Sequence, residues 1–331
     1  MDDQREPKAV LLFSGGLDSL LACEVLHRAG ADVVILRFHS VFFPLREDRG
    51  CAPPCPTITR DITEAMIGLV AEPRYGLGKN ANPCLDCKQQ MYELAWQEAQ
   101  ERGADFIATG EVLGQRPMSQ NRQAFARMEK GAGLRGLVVR PLSARLLPTT
   151  IPEEQGLIDR ADMLDIQGRS RKRQIELAAR WGIRDYPAPA GGCKLTDPQY
   201  GGRVLRLRAM GLLTPAHLRA ARHGRFVELS DTCLALVGRN QADNRALLAD
   251  APEDSQVIEL AGHPGPLACL IGPATGAELV QAKELVVRYS RFRDLPAQEV
   301  RACAPAEARW ARPGGRPVSR PGAIPPPGRP Q

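Results

Sequence analysis

Two groups of residues in this chain have types and spacing suited to chemistry: a glycine and serine turn near the start, and several cysteines. The turn, residues 14–19, reads SGGLDS. It follows an apolar run at 8–13 that predicts a buried strand, and apolar positions at helical spacing follow it over 17–28. Glycines allow close backbone approach, and the free N–H groups of a helix start favour an anion. Since no Walker lysine follows, the turn predicts a phosphate site of another kind than the P-loop.

The cysteines suggest a second reactive centre. Cys84 and Cys87 lie in a Pro-Cys-Leu-Asp-Cys segment ahead of a predicted helix, and Cys193 follows two glycines. We expect these three thiols to converge. Three cysteine ligands on a [4Fe-4S] cluster leave the fourth iron open to bind sulfide or substrate, and this is the metal site that we expect.

Two other interpretations of the cysteines stay open. Cys51 and Cys55 could join Cys84 and Cys87 in a structural zinc site, since the spacing is acceptable for zinc. Alternatively, Cys84 or Cys87 could act with Cys193 as nucleophile and persulfide carrier without a metal. The remaining cysteines lie in apolar or tail contexts and are expected to be packing residues: Cys23, Cys233, Cys269 and Cys303.

Strands and helices alternate over the first 200 residues, which predicts an α/β domain with a parallel sheet. The expected strands are 32–39, 104–110 and 136–142, and the expected helices are 86–102 and 170–182. Thr109, Gly110 and Glu111 end one strand. Because ligands bind outside the carboxyl ends of strands in such sheets, these residues are expected to lie in the nucleotide site.

The composition changes after residue 200. Residues 201–225 hold six arginines and no acidic residue, and we interpret them as a basic helical bridge. Residues 226–300 predict a small α+β domain with a helix at 241–249 and five short strands, at 226–230, 233–238, 255–260, 267–272 and 284–290. Residues 301–331 are rich in Pro, Gly and Arg and are expected to be disordered.

Charge and hydropathy bound the function class. The net charge is +6 over 331 residues, but residues 304–331 contribute +4 of it through five arginines and one glutamate. The charged N-terminus leaves no room for a signal peptide, and no apolar run approaches a membrane span, so we expect a cytoplasmic protein without a membrane partner. A homodimer is possible.

SGGLDS resembles the PP-loop of the ATP pyrophosphatases, which cleave ATP between the α and β phosphates. The resemblance implies a Rossmann-like domain of the adenine nucleotide alpha hydrolase type, with ATP and Mg²⁺ as cofactors. It implies that Asp18 acts catalytically, through magnesium. The residues expected to bind the nucleotide are Ser14, Gly15, Gly16, Asp18, Ser19, Phe38, Thr109, Gly110 and Gln115.

Three further segments, 78–87, 109–120 and 140–143, resemble the catalytic domain of tRNA 4-thiouridine synthetase-like proteins. That resemblance implies a tRNA sulfurtransferase, which adenylates a uridine carbonyl and replaces its oxygen with sulfur. Cys84, Cys87 and Cys193 would be catalytic, and sulfide or a persulfide from a cysteine desulfurase would be the donor. We expect 4-thiouridine first and 2-thiouridine next. An ATP-dependent amidating enzyme and a non-catalytic RNA-binding protein are the alternatives.

The segment from about 223 to 295 resembles the RNA-binding type of NFACT domain. We expect it to grip tRNA in place of the N-terminal ferredoxin-like and THUMP region of the bacterial synthetases. An oligomerisation module is the alternative. Clustered guanidinium groups suit phosphates. The residues expected to contact RNA are Lys79, Arg116, Arg171, Lys172, Arg203, Arg206 and Arg208, with Arg219, Arg222 and Arg225 as further candidates.

Overall fold

A computed structural model describes residues 5–45, 55–188, 193–292, 294 and 299–308. The chain divides into two compact units, Met1–Gly201 and Gly202–Gln331. Its ten α-helices within the described residues are α1 (Leu17–Arg28), α2 (Thr63–Ala71), α3 (Cys84–Glu101), α4 (Arg122–Ala132), α5 (Ile151–Glu154), α6 (Lys172–Arg180), α7 (Pro198–Ala209), α8 (Pro215–Ala220), α9 (Gln241–Ala249) and α10 (Gly276–Arg288).

The first unit contains a five-stranded parallel sheet in the order β3-β2-β1-β4-β5. The strands are β1 (Lys8–Leu12), β2 (Asp32–His39), β3 (Thr57–Asp61), β4 (Phe106–Thr109) and β5 (Val138–Val139). The Rossmann-like α/β prediction is therefore confirmed. The strand order changes direction at β1, so the carboxyl ends of β1 and β4 border the crevice where such sheets bind ligands.

Apolar side chains on both faces of this sheet hold the helices in place. Along β1, Leu11 packs on one face with Leu17 and Leu21 of α1, whereas Val10 packs on the other with Tyr92 of α3. Alternate residues of a strand point to opposite faces, so one buried strand supports two helix layers. This packing fixes the starts of α1 and α3 relative to the sheet.

The second unit contains an antiparallel sheet in the order β10-β8-β9-β7-β6, which confirms the predicted small α+β architecture. Its strands are β6 (Arg225–Glu228), β7 (Leu234–Val237), β8 (Gln256–Leu260), β9 (Leu267–Ile271) and β10 (Val300–Cys303). The core joins the sheet to α10 through Ala282 and Val286.

Two expectations for the second unit are wrong. Residues 284–290, expected to be a strand because of their β-branched run, belong mostly to α10. Thr275 and Glu278 form a capping box that starts this helix, and Glu278, Ala282 and Val286 recur at the helical spacing of four on its buried face. The expected start of the disordered tail at residue 301 is too early, since β10 includes residues 301–303. Residues 309–331 lie outside the described part of the chain.

Among the described residues, no helix is both long and apolar enough to cross a membrane.

Candidate functional site

The PP-loop turn occupies the junction of β1 and α1. Gly15 has a φ of +73°, in the left-handed region that glycine adopts without strain. The Ser19 hydroxyl donates to the Gly16 carbonyl at 2.8 Å, and the Gly16 N–H points to the Ser14 hydroxyl at 3.4 Å. Gly16 is the N-cap residue and provides no side-chain cap. The start of α1 therefore presents backbone donors of the kind that bind phosphate.

Asp18 joins this turn to the segment after β4. Its Oδ2 accepts a hydrogen bond from Gln115 Nε2 at 3.0 Å. Its Oδ1 is buried and has no hydrogen-bond partner among the described residues. A buried carboxylate oxygen without a partner is costly unless a ligand or a cation satisfies it. Asp18 therefore fits the expected magnesium role.

Gly110 is required by a close approach of β4 to α1. A Cβ atom at this position would lie 2.7 Å from the Ser19 nitrogen and 2.8 Å from the Asp18 carbonyl group. The contact explains why the residue after Thr109 is a glycine: the backbone of the PP-loop helix passes directly over it. Gly110 therefore shapes the expected nucleotide site by packing.

A buried charge network follows Gly110. Glu111 accepts hydrogen bonds from Lys88, from Tyr92 and, at 3.2 Å, from the Thr109 hydroxyl. Arg140 Nε lies 3.5 Å from Glu111 Oε2. The predicted nucleotide contact Thr109 thus has its hydroxyl engaged within the protein.

Burial would raise the pKa of Glu111, but the Lys88 ammonium and the Arg140 guanidinium outweigh it and hold that pKa at about 2. Arg140 also pairs with Glu129 at 2.6 Å and stacks with its guanidinium carbon 3.8 Å from the centroid of the Phe125 ring. The carboxylate at the end of β4 is therefore ionised and fixed between α3 and the residues after β5. The sequence analysis missed Lys88, whose only signal is that it directly follows Cys87.

Arg37 is a further residue that the sequence analysis missed. It is buried near the carboxyl end of β2, and its guanidinium lies 3.6 Å from the position that a Cβ of Gly15 would take. The signal was a single cation within the apolar run of residues 33–38. The predicted nucleotide contact Phe38 is the next residue, half-buried against the core that contains Tyr92. A guanidinium beside a phosphate-binding turn adds positive charge to it.

Cys84 and Cys87 lie in the first turn of α3, where the Cys87 N–H donates to the Pro83 carbonyl at 2.9 Å. The loop before them is hydrogen-bonded to the segment after Cys193. Asn80 Nδ2 donates to the Thr196 carbonyl at 2.8 Å, and the Ala81 N–H donates to the Leu195 carbonyl at 3.3 Å. The fold thus brings the two cysteine segments together.

The three thiols influence one another. Burial, together with the neighbouring Cys193 and Cys84, raises the pKa of Cys87 to about 12. Burial also raises the pKa of Cys193, while Arg116 opposes that rise. Thiols must lose their protons to bind a metal. In the described part of the chain, no three His, Cys, Asp or Glu side chains are gathered closely enough to hold a metal ion. As placed, these residues do not fit a cluster.

Cys55 lies away from the expected zinc set. Its sulfur is 3.6 Å from the sulfur of Cys23, within the core on the α1 side of the sheet. Cys51 falls outside the described residues, and among those described Cys55 lies beside Cys23 and forms no metal-holding group with Cys84 and Cys87. Cys23 packs in the core as expected, but it does so against another thiol.

The loop after β4 folds back on itself. The Gly114 N–H donates to the Gln120 carbonyl at 2.6 Å, and the Gln120 N–H donates to the Arg116 carbonyl at 2.8 Å. Ser119 and Gln120 are buried, and Met118 is 77% exposed at the tip. Of the basic residues expected to contact RNA, the first unit exposes Lys79, Arg116 and Lys172, whereas Arg171 is half-buried.

The α7 arginines that were expected to contact RNA differ in their contacts. Arg203 donates to the carbonyls of Ala221, His223 and Gly224 at 2.7, 3.1 and 2.9 Å. Arg206 pairs with Glu228 at 2.9 Å. Arg208 is exposed. Arg203 and Arg206 therefore hold the turn after α8 and the end of β6, which is a structural task that charge clustering in the sequence did not reveal.

Comparison with known proteins gives matches over parts of the chain. Residues 224–311 match the family model described as NFACT protein RNA binding domain. The chain is 29% identical over 119 residues to the tRNA-specific 2-thiouridylase MnmA of Desulfosudis oleivorans, and 27% identical over 127 residues to that of Roseiflexus castenholzii. The alignments cover 33% and 31% of this chain and 33% of each relative. The chain thus spans about a third of the length of the curated relatives it matches.

Two solved structures resemble the chain weakly. A predicted subunit of a tRNA methyltransferase from Methanocaldococcus jannaschii gives a TM-score of 0.36 at 13% identity, over 64% of this chain and 91% of that one. A 4-thiouridine synthetase–RNA complex with bound ATP gives a TM-score of 0.35 at 20% identity, over 65% of this chain and 53% of that one.

The PP-loop geometry, the sequence relatives and the RNA-binding-domain match agree with one another. About a third of the chain is thus similar to tRNA-specific 2-thiouridylases, and residues 224–311 match an RNA-binding domain family.

Proposed function

We propose that this protein is an ATP-dependent tRNA sulfurtransferase. The observation that carries the proposal is Asp18: its buried Oδ1 lacks a partner at the start of a helix suited to phosphate, while Gln115 ties its other oxygen to the loop after β4. ATP and Mg²⁺ would satisfy that oxygen and the helix N–H groups together. Sequence relatives that are named 2-thiouridylases support a thiolation reaction.

The first half-reaction activates the base. A uridine carbonyl oxygen attacks the α-phosphate of ATP, and pyrophosphate leaves from the PP-loop formed by Ser14, Gly15, Gly16 and Ser19. Magnesium held by Asp18 would neutralise the charge that develops on the phosphates. Arg37, beside Gly15, would add a guanidinium to the same phosphates. AMP then becomes the leaving group on the base.

The second half-reaction replaces AMP with sulfur. Hydrogen bonds from the loop before Cys84 to the segment after Cys193 support a common sulfur site for Cys84, Cys87 and Cys193. A sulfur nucleophile held there would attack the activated carbon and release AMP. Burial raises the pKa of Cys193, which disfavours the thiolate, and Arg116 opposes only part of that rise. The segments 78–87, 109–120 and 140–143 resemble 4-thiouridine synthetase-like proteins and favour 4-thiouridine as the product. The matched relatives, by contrast, are 2-thiouridylases by name.

The decisive experiment separates the two half-reactions. Purified protein is incubated anaerobically with ATP, Mg²⁺, sulfide and unmodified tRNA, and pyrophosphate and thionucleosides are measured. We expect Asp18→Asn to abolish both products. We expect Cys84→Ser and Cys193→Ser to retain pyrophosphate release and to lose thiouridine, because activation does not need the thiols.

Cys303→Ser is the matched control, since Cys303 lies in β10 of the other unit and should leave both products unchanged. Nucleoside mass spectrometry distinguishes 2-thiouridine from 4-thiouridine. Full thiouridine formation by Cys84→Ser would refute the sulfur role of α3. Pyrophosphate release with an aminated base would favour an amidating enzyme, and no tRNA-dependent pyrophosphate release would favour a non-catalytic RNA-binding protein.

A further inference from the structure

One end of the second unit combines arginines with aromatic rings. The guanidinium carbon of Arg225 lies 4.6 Å from the centroid of the Tyr289 ring, and that of Arg291 lies 5.1 Å from the Phe292 ring. Arg225 begins β6, and Tyr289 is the C-cap residue of α10. The first contact therefore brings the start of a strand and the end of a helix to one place on this unit.

Tyr289 is exposed although its helix has an apolar core face. Ala282 and Val286 are fully buried on that face, whereas Tyr289 keeps 39% of its surface accessible. Arginine stacked on a ring holds it in a defined orientation at low entropic cost. Tyr289 thus presents a supported aromatic surface outside the core.

The sequence around Tyr289 carries mainly positive charge. Arg288 and Arg291 flank it in sequence and are both exposed, and residues 285–292 contain no acidic residue. The acidic residues nearby in sequence are Glu284 and Asp294. Arg203 and Arg206, by contrast, bond within the protein. Exposed guanidinium groups beside an exposed ring are the elements with which proteins bind single-stranded RNA.

We propose that Arg225, Arg288, Tyr289 and Arg291 form an RNA platform that binds an unpaired segment of the tRNA substrate. Tyr289 stacks on an unpaired base, with Arg225 supporting its ring, and Arg288 and Arg291 bind the adjoining phosphates. The inference rests on the proposed tRNA substrate and adds the surface that holds it. The match of residues 224–311 to an RNA-binding family model supports it independently of charge.

The experiment measures the affinity of the full-length protein for unmodified tRNA as a function of salt. We expect Tyr289→Ala to weaken binding about 10-fold, since stacking contributes about 1–3 kcal/mol per base. Tyr289→Phe keeps the ring and should bind within about twofold of the wild type. Arg288→Gln with Arg291→Gln should lower the slope of log K against log salt by about 1.4, at about 0.7 for each phosphate contact to a single strand.

Lys283→Gln, on the same helix but before this end, is the matched charge control and should leave the slope unchanged. The double arginine variant decides the matter if Tyr289→Ala fails to fold. Unchanged affinity and slope in a protein that still binds tRNA and thiolates it would overturn the platform alone. A wild-type protein that does not bind tRNA would overturn the proposed function and the platform with it.

Discussion

Glu111 shows how one buried carboxylate positions two halves of the candidate site. It accepts from Lys88, the neighbour of Cys87, and lies directly after the glycine over which the PP-loop helix passes. Arg140 is 4% exposed and depends on Glu111 and Glu129 for its charge balance. Breaking a buried ion pair leaves an uncompensated charge. The cysteine helix and the nucleotide strand are thus coupled through this residue.

We expect Glu111→Gln to lower the free energy of unfolding by about 3–5 kcal/mol because it leaves Lys88 without its anion and Arg140 with Glu129 alone. Glu176→Gln, at an exposed position of α6, is the control and should change it by less than about 0.5 kcal/mol. Urea unfolding measures both. A Glu111→Gln protein as stable as the control would contradict the coupling.

The stability difference between the wild type and Glu111→Gln should also depend on pH. The pKa of Glu111 is about 2 in the folded protein, below its value of about 4.3 in an unfolded chain. Its ionisation therefore stabilises the fold fully above about pH 4.3, and that contribution is lost as the pH falls toward 2. The stability difference between wild type and Glu111→Gln should be constant from pH 7 to 5 and should shrink below pH 4.3. A difference that grows at low pH would show the opposite sign.

The sulfur atoms of Cys23 and Cys55 are 3.6 Å apart, against about 2.05 Å in a disulfide. We expect hydrogen peroxide to join them, two thiols and one peroxide giving a disulfide and two waters. Cys55 should react first, because it is half-buried whereas burial strongly raises the pKa of Cys23. Peptide mapping without reductant measures the product, and Cys55→Ser is the control that should leave Cys23 unoxidised. A disulfide between Cys51 and Cys55 instead would contradict the pairing.

At the scale of elements, the contact between β4 and α1 determines the shape of the phosphate turn. We expect Gly110→Ala to weaken ATP binding at least 10-fold and to destabilise the first unit by about 1–3 kcal/mol, because its methyl group overlaps the backbone of Asp18 and Ser19. Isothermal titration calorimetry and thermal unfolding measure these effects. Gly68→Ala in α2, where no atom lies within 4 Å, is the control and should bind ATP normally. Normal ATP binding by Gly110→Ala would show that the contact is not needed.

At the scale of the whole molecule, the two compact units predict a division of labour. We expect ATP to slow hydrogen exchange at residues 13–19 and 109–120 and to leave β6–β9 unchanged, whereas tRNA should slow exchange in both units. Hydrogen–deuterium exchange with mass spectrometry measures this, and ATP without magnesium is the control, which should protect less. Protection by ATP alone across 224–292 would contradict the division.

Local sequence determined much of the molecule. The apolar run of β1, the glycines of the turn and the helical spacing of α1 placed SGGLDS between a strand and a helix, because each signal acts over a few residues. Alternation of strands and helices likewise indicated the parallel sheet. The spacing of Glu278, Ala282 and Val286 also carried the helical signal for α10, although the β-branched run beside them favoured a strand.

Long-range packing decided which side chains contact one another. Only the tertiary structure paired Cys55 with Cys23, placed Lys88 and Arg140 on Glu111, and directed Arg203 to backbone carbonyls, since each contact joins residues 18 or more positions apart. Sequence patterns report which face of an element is buried, but not which neighbour it meets. The sequence alone thus determined the chemical groups of the site, and the packing of sheet against helices determined their partners and charge states.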